Sequence, residues 1–305
     1  MIVEFRHVSK FFGSRRAVED LDLEVPRGAC FGLLGPNGAG KTTALKMLYG
    51  AALPSRGCVR VFGEDVSRHP RAVRARLGVT LQENALIEVL SPVENLRVFG
   101  RYHRLPEREI RARIEELLDF LELRSHASVP VAALSGGFQR RLAVALSLMN
   151  APELLILDEP TTGLDPAVRL SLWHRIRELQ AAGTTLVLTT HYMEEAQRLC
   201  DRLAILCDGR KVAEGAPAEL IARHLAPQTL ELELGEERAA ALRQRLRGVR
   251  ELRAGPRLML FSEDAPALLD RVRSLERELR GVVVRPTNLE DLFLALTGTA
   301  LEGAA

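Results

Sequence analysis

The chain has 305 residues, which at about 150 residues per domain predicts two domains. Lys and Arg number 42 against 40 Asp and Glu, so the formal net charge of +2 argues against binding nucleic acid through overall charge. Hydrophobic residues make up 47% and charged residues 27% of the chain, which excludes a disordered protein.

The N-terminus lacks the apolar core of a signal peptide, and we expect no export of the chain. No stretch reaches the roughly 18 to 20 consecutive apolar residues of a membrane span. The strongly apolar stretch 154–157, for example, is followed at once by the charged residues Asp158 and Glu159. We therefore expect any role at a membrane to come through a partner.

Strands and helices alternate over the first two thirds of the chain. Alternation of polar and apolar residues, or a continuous apolar run, predicts strands at 2–6, 20–25, 30–34, 154–157 and 184–190. Apolar spacings of three and four predict helices over 107–123, 138–149 and 170–180. This alternation predicts a three-layer α/β core.

The pattern changes near Ala226 and Pro227, so we expect domains at 1–225 and 226–305. Beyond this boundary the predicted order is strand 229–234, helix 236–246, hairpin strands 249–253 and 258–262, helix 265–279 and strand 282–285. This β-α-β-β-α-β order is that of ferredoxin-like modules. Thr287 and Glu290 have the spacing of a capping box for one more helix. We therefore expect a small α+β second domain.

Residues 35–42, Gly-Pro-Asn-Gly-Ala-Gly-Lys-Thr, match the phosphate-binding pattern G-x-x-x-x-G-K-[ST] between an apolar strand and a predicted helix. The glycines let several backbone N–H groups face a phosphate, and the helix N-terminus adds partial positive charge. Lys41 would reach the β and γ phosphates, and the Thr42 hydroxyl would bind Mg²⁺. The alternative, a glycine-rich turn with a surface lysine, is disfavoured by the flanking strand and helix.

Asp158 and Glu159 follow a buried strand, at the carboxyl end where ligands of open α/β sheets collect. Asp158 fits an acceptor for Mg²⁺, and Glu159 fits a group that orients water for attack on a γ-phosphate. Alone, such a pair is more often solvent-exposed; the phosphate loop favours the catalytic interpretation.

The sequence Leu-Ser-Gly-Gly at 134–137 precedes the helix predicted over 138–149. Ser135 or one of the glycines therefore lies at a helix N-terminus, a second place for an anion. An ordinary N-cap and turn is the alternative, and it would be preferred if the motif stood alone.

In this order the motifs resemble the nucleotide-binding subunits of ATP-binding cassette (ABC) transporters, over about the first 220 residues. The resemblance identifies 35–42 as the Walker A motif, 134–137 as the signature, 155–159 as Walker B and 163–165 as the D-loop. It implies an α/β P-loop NTPase cassette with a mixed sheet and a helical subdomain at about 83–150, followed by the small α+β domain.

The same resemblance assigns three single residues: Gln82 as the Q-loop glutamine, Phe12 as the aromatic that stacks on adenine, and His191 as the switch histidine. Taken singly, each has an ordinary explanation as a polar, core or strand-capping residue. Two departures are visible: Phe138 stands where many members have glutamine, with Gln139 displaced by one, and the adenine-stacking aromatic is Phe rather than Tyr. Neither removes a backbone donor or a charge.

The expected site has three groups of residues. Glu159 and His191 are expected to be catalytic, and Thr42, Gln82 and Asp158 to hold Mg²⁺. The residues expected to bind ATP are Phe12, Gly35, Pro36, Asn37, Gly38, Ala39, Gly40, Lys41, Thr42, Thr43, Gln82, Ser135, Gly136, Gly137 and Asp158.

Four further stretches narrow the resemblance to ATPases that export antibiotics, polysaccharides and lipo-oligosaccharides, and most closely to those of nodulation-factor exporters: 99–102, 138–141, 189–196 and 288–294. The resemblance implies an ATP-closed homodimer, a separately encoded membrane permease, no nucleic-acid partner, and a peripheral place on the cytoplasmic face of the inner membrane.

The segment 83–123 is expected to contact the permease, although its Arg97, Arg101 and Arg104 fit a solvated face equally well. The rival function is a soluble ABC-type ATPase acting on DNA or ribosomes. The absence of sustained heptads from 43 to 134, and a single Walker A motif, disfavour it.

Overall fold

The computed structural model describes residues 1–83, 85–276 and 278–298. The chain packs as two compact units, Met1–Val212 and Ala213–Ala305. This division comes earlier than the boundary predicted between 225 and 226, because the helix Pro217–His224 packs against the helix Leu289–Thr297 of the second unit. The functional domain limits stay a prediction.

The strands are β1 (Val3–Phe12), β2 (Arg15–Val25), β3 (Cys30–Leu34), β4 (Arg56–Val61), β5 (Glu64–Asp65), β6 (Leu77–Thr80), β7 (Leu154–Asp158), β8 (Thr185–Thr190), β9 (Arg202–Cys207) and β10 (Arg210–Gly215). The helices up to β10 are α1 (Lys41–Leu48), α2 (Pro70–Arg74), α3 (Pro92–Tyr102), α4 (Glu107–Phe120), α5 (Gly136–Ser147), α6 (Pro166–Ala181) and α7 (Met193–Leu199). Short 3₁₀ turns at Arg124–His126 and Val131–Ala133 precede α5.

Two sheets organise these elements. Over the described residues one has the order β10-β9-β3-β8-β7-β6, in which β9, β3, β8, β7 and β6 are parallel neighbours. The other has the order β2-β1-β4-β5 and is antiparallel. Helix α1 buries Leu45 and Met47 in a core shared by β1, β4 and the parallel strands. The predicted mixed-sheet α/β cassette is confirmed.

The continuous apolar runs of the sequence form the middle of the parallel sheet. Every residue of β3, β7 and β8 is buried, as expected for strands covered on both faces. Helix α4 buries Ile110, Ile114, Leu117 and Leu118 on one face, which confirms its predicted amphipathic character, although it ends at Phe120 rather than 123.

The second unit contains α8 (Pro217–His224), β11 (Gln228–Glu233), α9 (Glu236–Arg245), β12 (Arg250–Ala254), β13 (Arg257–Ser262), α10 (Ala265–Leu275), β14 (Arg280–Pro286) and α11 (Leu289–Thr297). Among the described residues its strand order is β12-β13-β11-β14, and all neighbours are antiparallel. Leu230 and Leu260 of this sheet pack with Leu242 of α9 and Leu268 of α10. The predicted β-α-β-β-α-β order is confirmed.

The predicted capping box at Thr287 and Glu290 is wrong by one residue. Asn288 caps α11 through the backbone N–H of Asp291, at 3.0 Å, and the Asp291 carboxylate accepts from the N–H of Asn288. Arg285 donates to both oxygens of the buried Asp291, at 2.7 and 2.8 Å, and this ion pair fixes the register. The Thr287 hydroxyl instead donates to the carbonyl of Ala226.

Glu153, just before β7, ties together distant parts of the first unit. Its carboxylate accepts from Arg76 at 2.6 Å and from Arg27 at 2.7 Å. These guanidinium groups lower the pKa of Glu153 from 4.5 to about 2. Because the folded-state pKa is depressed, the stabilisation is complete above pH 4.5 and disappears as the pH falls toward 2.

We therefore expect Glu153→Gln to lower the free energy of unfolding at pH 7 by about 0.5 to 1 kcal/mol, a small value because the groups are partly screened by solvent. Thermal unfolding at several pH values measures it, and the difference from the unmodified chain should vanish near pH 2. A difference independent of pH would contradict the ion-pair explanation.

Candidate active site

The loops after β3, β7 and β8 meet at one edge of the parallel sheet. Leu34 lies beside Thr190, and Asp158 beside Thr189, so the three strands end at the same level. The phosphate-loop sequence follows β3, Glu159 follows β7 and His191 follows β8. The sheet therefore brings together chemical groups that are far apart in the sequence.

The loop after β3 has the backbone that its glycines permit. Gly40 is the N-cap of α1 with φ of 103°, and a Cβ atom there would lie 2.5 Å from the carbonyl oxygen of Ala17. Lys41 is buried, and its Nζ donates to the carbonyls of Gly35 at 2.7 Å and Pro36 at 3.2 Å. Burial lowers the pKa of Lys41, an effect that the carboxylates of Glu159 and Asp158 oppose. Lys41 is therefore not the surface lysine of the disfavoured alternative.

The two adjacent acids differ in their surroundings. Asp158 is buried and accepts a hydrogen bond from the Thr189 hydroxyl; burial raises its pKa. The Glu159 Oε2 lies 2.9 Å from Nδ1 of His191 and accepts from the Thr162 hydroxyl at 3.0 Å. The bond to His191 lowers the pKa of Glu159, so this carboxylate is ionised at neutral pH.

Glu159 also has an unusual backbone. Its φ of 48° lies in the left-handed region, which costs a non-glycine residue roughly 1 to 2 kcal/mol. Its N–H donates to both the carbonyl and the hydroxyl oxygen of Thr189, at 3.1 Å each. The surrounding bonds therefore hold a strained turn that sets the direction of the carboxylate.

A cleft of about 290 Å³ joins the phosphate loop to Glu159. Its lining is Phe12, Arg15, Ala17, Asn37, Gly38, Ala39, Gly40, Lys41, Thr42, Thr43, Gln82 and Glu159. Phe12 is 53% exposed, with Nζ of Lys10 4.9 Å from its ring centre, so it is not a core residue. Most of the predicted ATP-binding residues thus share one cavity, to which the structure adds Arg15 and Ala17.

The signature residues lie elsewhere. Ser135 is the N-cap of α5, is exposed, and makes no capping bond with its side chain, unlike the ordinary N-cap of the alternative interpretation. Gly136 lines a second cavity of about 200 Å³, together with Gln82, Glu159 and Gly163. Gln82 and Glu159 border both cavities, whereas Ser135, Gly136 and Gly137 do not line the phosphate-loop cleft of their own chain.

Both residues that depart from the usual pattern at the signature, Phe138 and Gln139, have structural roles. Gln139 donates from its side-chain amide to the carbonyls of Val131 and Leu134, at 3.1 and 3.2 Å, and so fixes the loop before α5. Phe138 packs against His126, with ring centres 4.0 Å apart. The displaced glutamine therefore braces the signature from within its own chain.

Sequence reasoning missed the role of Arg140. This buried residue of α5 donates to main-chain carbonyls beside the acids and beside Gln82. The available signal was its helical position: Arg140 shares a face with Val144 and Ser147, which are buried, and a buried arginine requires partners.

Comparison with known proteins identifies relatives along nearly the whole chain. The ABC transporter family matches residues 18–162, and the family described as the nodulation factor export protein NodI C-terminal domain matches residues 236–298. The Nod factor export ATP-binding protein I of Paraburkholderia xenovorans is 46% identical over 98% of both chains. The protein of that name from Bradyrhizobium diazoefficiens is 45% identical over 99% of this chain and 98% of its own.

Solved structures agree with the cassette fold. The ATP-binding subunit of an ABC transporter superimposes with a TM-score of 0.67 at 30% identity, covering 73% of this chain and 93% of its own. A dimeric ATP-binding cassette in a post-hydrolysis state, bound to ADP and Pi, has a TM-score of 0.65 at 27% identity and covers 70% of this chain and 98% of its own. The chain belongs to the ABC transporter family, as an ATP-hydrolysing subunit of the exporter type.

Proposed function

We propose that two copies of this chain close around ATP and drive a separately encoded permease that exports a lipo-oligosaccharide, polysaccharide or drug-like substrate. The observation that carries the hydrolytic part is the ionised Glu159, which faces the phosphate-loop cleft while paired with His191. The rival function, an ATPase acting on DNA or ribosomes, gains no support from the relatives.

The side chains of the cleft divide the work of hydrolysis. Lys41 binds the β and γ phosphates once its ammonium turns from the loop carbonyls, and Phe12 offers its exposed ring to adenine. Glu159 accepts the proton of the attacking water, which it can do because its carboxylate is ionised at neutral pH. His191 keeps the Glu159 carboxylate oriented through its Nδ1.

The donor set fits Mg²⁺. Thr42, Gln82 and Asp158 offer hydroxyl, amide and carboxylate oxygens, which are the hard ligands that this ion prefers, and Thr42 and Gln82 line the same cleft. When bound, the ion neutralises charge on the phosphates. Gln82 would connect this position to the helical segment that follows it.

The separation of the signature from the cleft supports a dimer. Ser135, Gly136 and Gly137 present a helix N-terminus that does not line the cleft of their own chain. A γ-phosphate requires stabilisation on several sides, and a second copy would supply these donors over the ATP bound by Lys41. The chain is also similar to a solved cassette structure that is dimeric, which supports a dimer here.

A groove of about 280 Å³ offers a place for the permease. Its apolar walls are formed by Tyr49, Val79, Leu81, Phe99 and Leu146, so it joins the end of β6 to α3 and α5. Leu81 is 40% exposed in this groove and immediately precedes Gln82. A cytoplasmic helix of the permease with an apolar face fits it, and movement at Gln82 would reach that helix directly.

Of the three arginines for which the sequence leaves a permease contact and a solvated face equally open, two have partners within the chain. Arg101 and Arg97 each lie 3.4 Å from the Glu107 carboxylate of α4. These ion pairs favour an ordinary solvated face for both arginines and leave the neighbouring apolar groove as the better docking surface.

The relatives support the proposed cargo. Relatives at about 45% identity are described as Nod factor export proteins, and the match includes the C-terminal domain, which supports a lipo-oligosaccharide cargo. Within the described residues, none of the helices combines the length and apolarity of a bilayer span. We place the subunit on the cytoplasmic face of the inner membrane, held there by its permease.

Uptake into inverted vesicles of labelled lipo-oligosaccharide, compared with a polysaccharide and a drug, tests the cargo.

We expect Glu159→Gln to lower kcat for ATP hydrolysis by about 100-fold or more, because the amide cannot accept the proton of water. ATP binding should persist, and gel filtration with ATP and Mg²⁺ should show a trapped dimer.

Lys41→Ala serves as the contrasting variant. It should weaken ATP binding itself by about 10- to 100-fold, through loss of charge-assisted hydrogen bonds, and should give no trapped dimer in the Glu159→Gln background. Near-normal turnover by Glu159→Gln would remove Glu159 from its assigned role.

For the permease contact, we expect Leu81→Glu to abolish co-purification with the permease, because a carboxylate would be buried in an apolar interface. Arg101→Glu is the matched surface change on α3 and should retain the complex. Loss of the complex in Arg101→Glu but not in Leu81→Glu would place the contact on the arginine face instead.

A further inference from the structure

Arg140 joins three motifs through main-chain carbonyls. Its Nε donates to Pro160 at 2.8 Å, and its Nη2 donates to Asp158 at 2.7 Å and Glu159 at 2.8 Å. Its Nη1 donates to Leu81 at 2.6 Å and Gln82 at 3.4 Å. One guanidinium on the signature helix therefore holds the backbone on both the Walker B side and the Q-loop side.

The shape of the group matters more than its charge. A guanidinium carries five N–H donors in a rigid plane, so carbonyls bound to it have fixed positions relative to one another. Arg140 is only 5% exposed, and a buried cation with these bonds cannot leave without stranding itself and its acceptors. The link therefore behaves as a rigid joint.

The Arg140 side chain binds the backbone at a strained residue, Glu159. Glu159 has left-handed backbone torsion, and Arg140 binds its carbonyl as well as that of the preceding Asp158. A shift of α5 would consequently turn the residue that bears the hydrolytic carboxylate. In the other direction, a shift at Gln82 or Glu159 would move the helix that starts at Gly136.

We propose that Arg140 is a positioning residue that makes the signature helix and the hydrolytic site of the same chain move together, and thereby couples the two ATP sites of a dimer. The inference rests on the proposed dimer, in which the signature of one copy serves ATP held by the other. ATP at either site then acts on the Arg140 contacts, in one case through the hydrolytic site and in the other through the signature helix. Two sites can be coupled energetically when both act on one shared structural element.

The test compares Arg140→Gln and Arg140→Lys with Arg113→Gln in the full-length chain. Arg113 of α4 also donates to a main-chain carbonyl, that of Leu148 at 2.7 Å beyond the end of α5, and so controls for a lost guanidinium–carbonyl bond. Fluorescence titration measures the affinity for ATP, steady-state hydrolysis gives kcat and the Hill coefficient, and circular dichroism reports folding.

For Arg140→Gln we expect unchanged affinity for ATP, kcat lower by about 10- to 100-fold, and a Hill coefficient that falls toward one. Arg140→Lys, which keeps the charge but not the planar fork, should lose cooperativity with a smaller loss of kcat. Arg113→Gln should unfold at a lower temperature and keep the cooperativity of the unmodified chain.

A folded Arg140→Gln with normal kcat and Hill coefficient would overturn the inference, as would the same loss of cooperativity in Arg113→Gln. If Arg140→Gln does not fold, Arg140→Lys is the deciding variant, because normal cooperativity in Arg140→Lys would also overturn the inference. These outcomes leave the ATP-trapped dimer of Glu159→Gln intact. By contrast, failure of that dimer, with non-cooperative hydrolysis by the unmodified chain, would overturn the proposed function and the coupling together.

Discussion

Parallel hydrogen bonding between β3, β8 and β7 sets the level at which three chemically different loops leave the sheet. Because Leu34, Thr190 and Asp158 lie within one residue of the same register, the phosphate loop, His191 and Glu159 start from neighbouring points. Each strand is buried on both faces, so its position is fixed by packing on every side. Packing of the core therefore fixes the points at which the loops begin, and short loops are enough to bring their side chains together.

Much of this architecture could be predicted because the decisive signals are local. The run Cys30–Leu34 is apolar throughout and is bounded by glycines, which is enough to indicate a covered strand that feeds a phosphate loop. The same holds for the second unit, where each strand and helix has its own period and turn residues, so the order of elements and even the split topology followed from the pattern.

What could not be predicted depends on contacts between distant segments. The cap of α11 lies at Asn288 rather than Thr287 because Arg285 holds Asp291, and two adjacent polar residues offer no local reason to choose. Likewise, the pKa values of Asp158 and Glu159 shift in opposite directions: burial in the folded core raises that of Asp158, and the bond to His191, over thirty positions away in the sequence, lowers that of Glu159. Motif spacing identifies the acids, whereas their ionisation belongs to the folded environment.

Arg140 illustrates a further consequence for how such a chain diverges over evolutionary time. Its acceptors are carbonyl oxygens, which every residue type supplies, so these bonds by themselves place no demand on the side chains at Leu81, Gln82 and Pro160. An insertion or deletion in either loop would displace the carbonyls themselves. Natural selection for the Arg140 contacts should therefore keep the lengths of the two loops constant more strictly than the residue types at the positions whose carbonyls Arg140 binds.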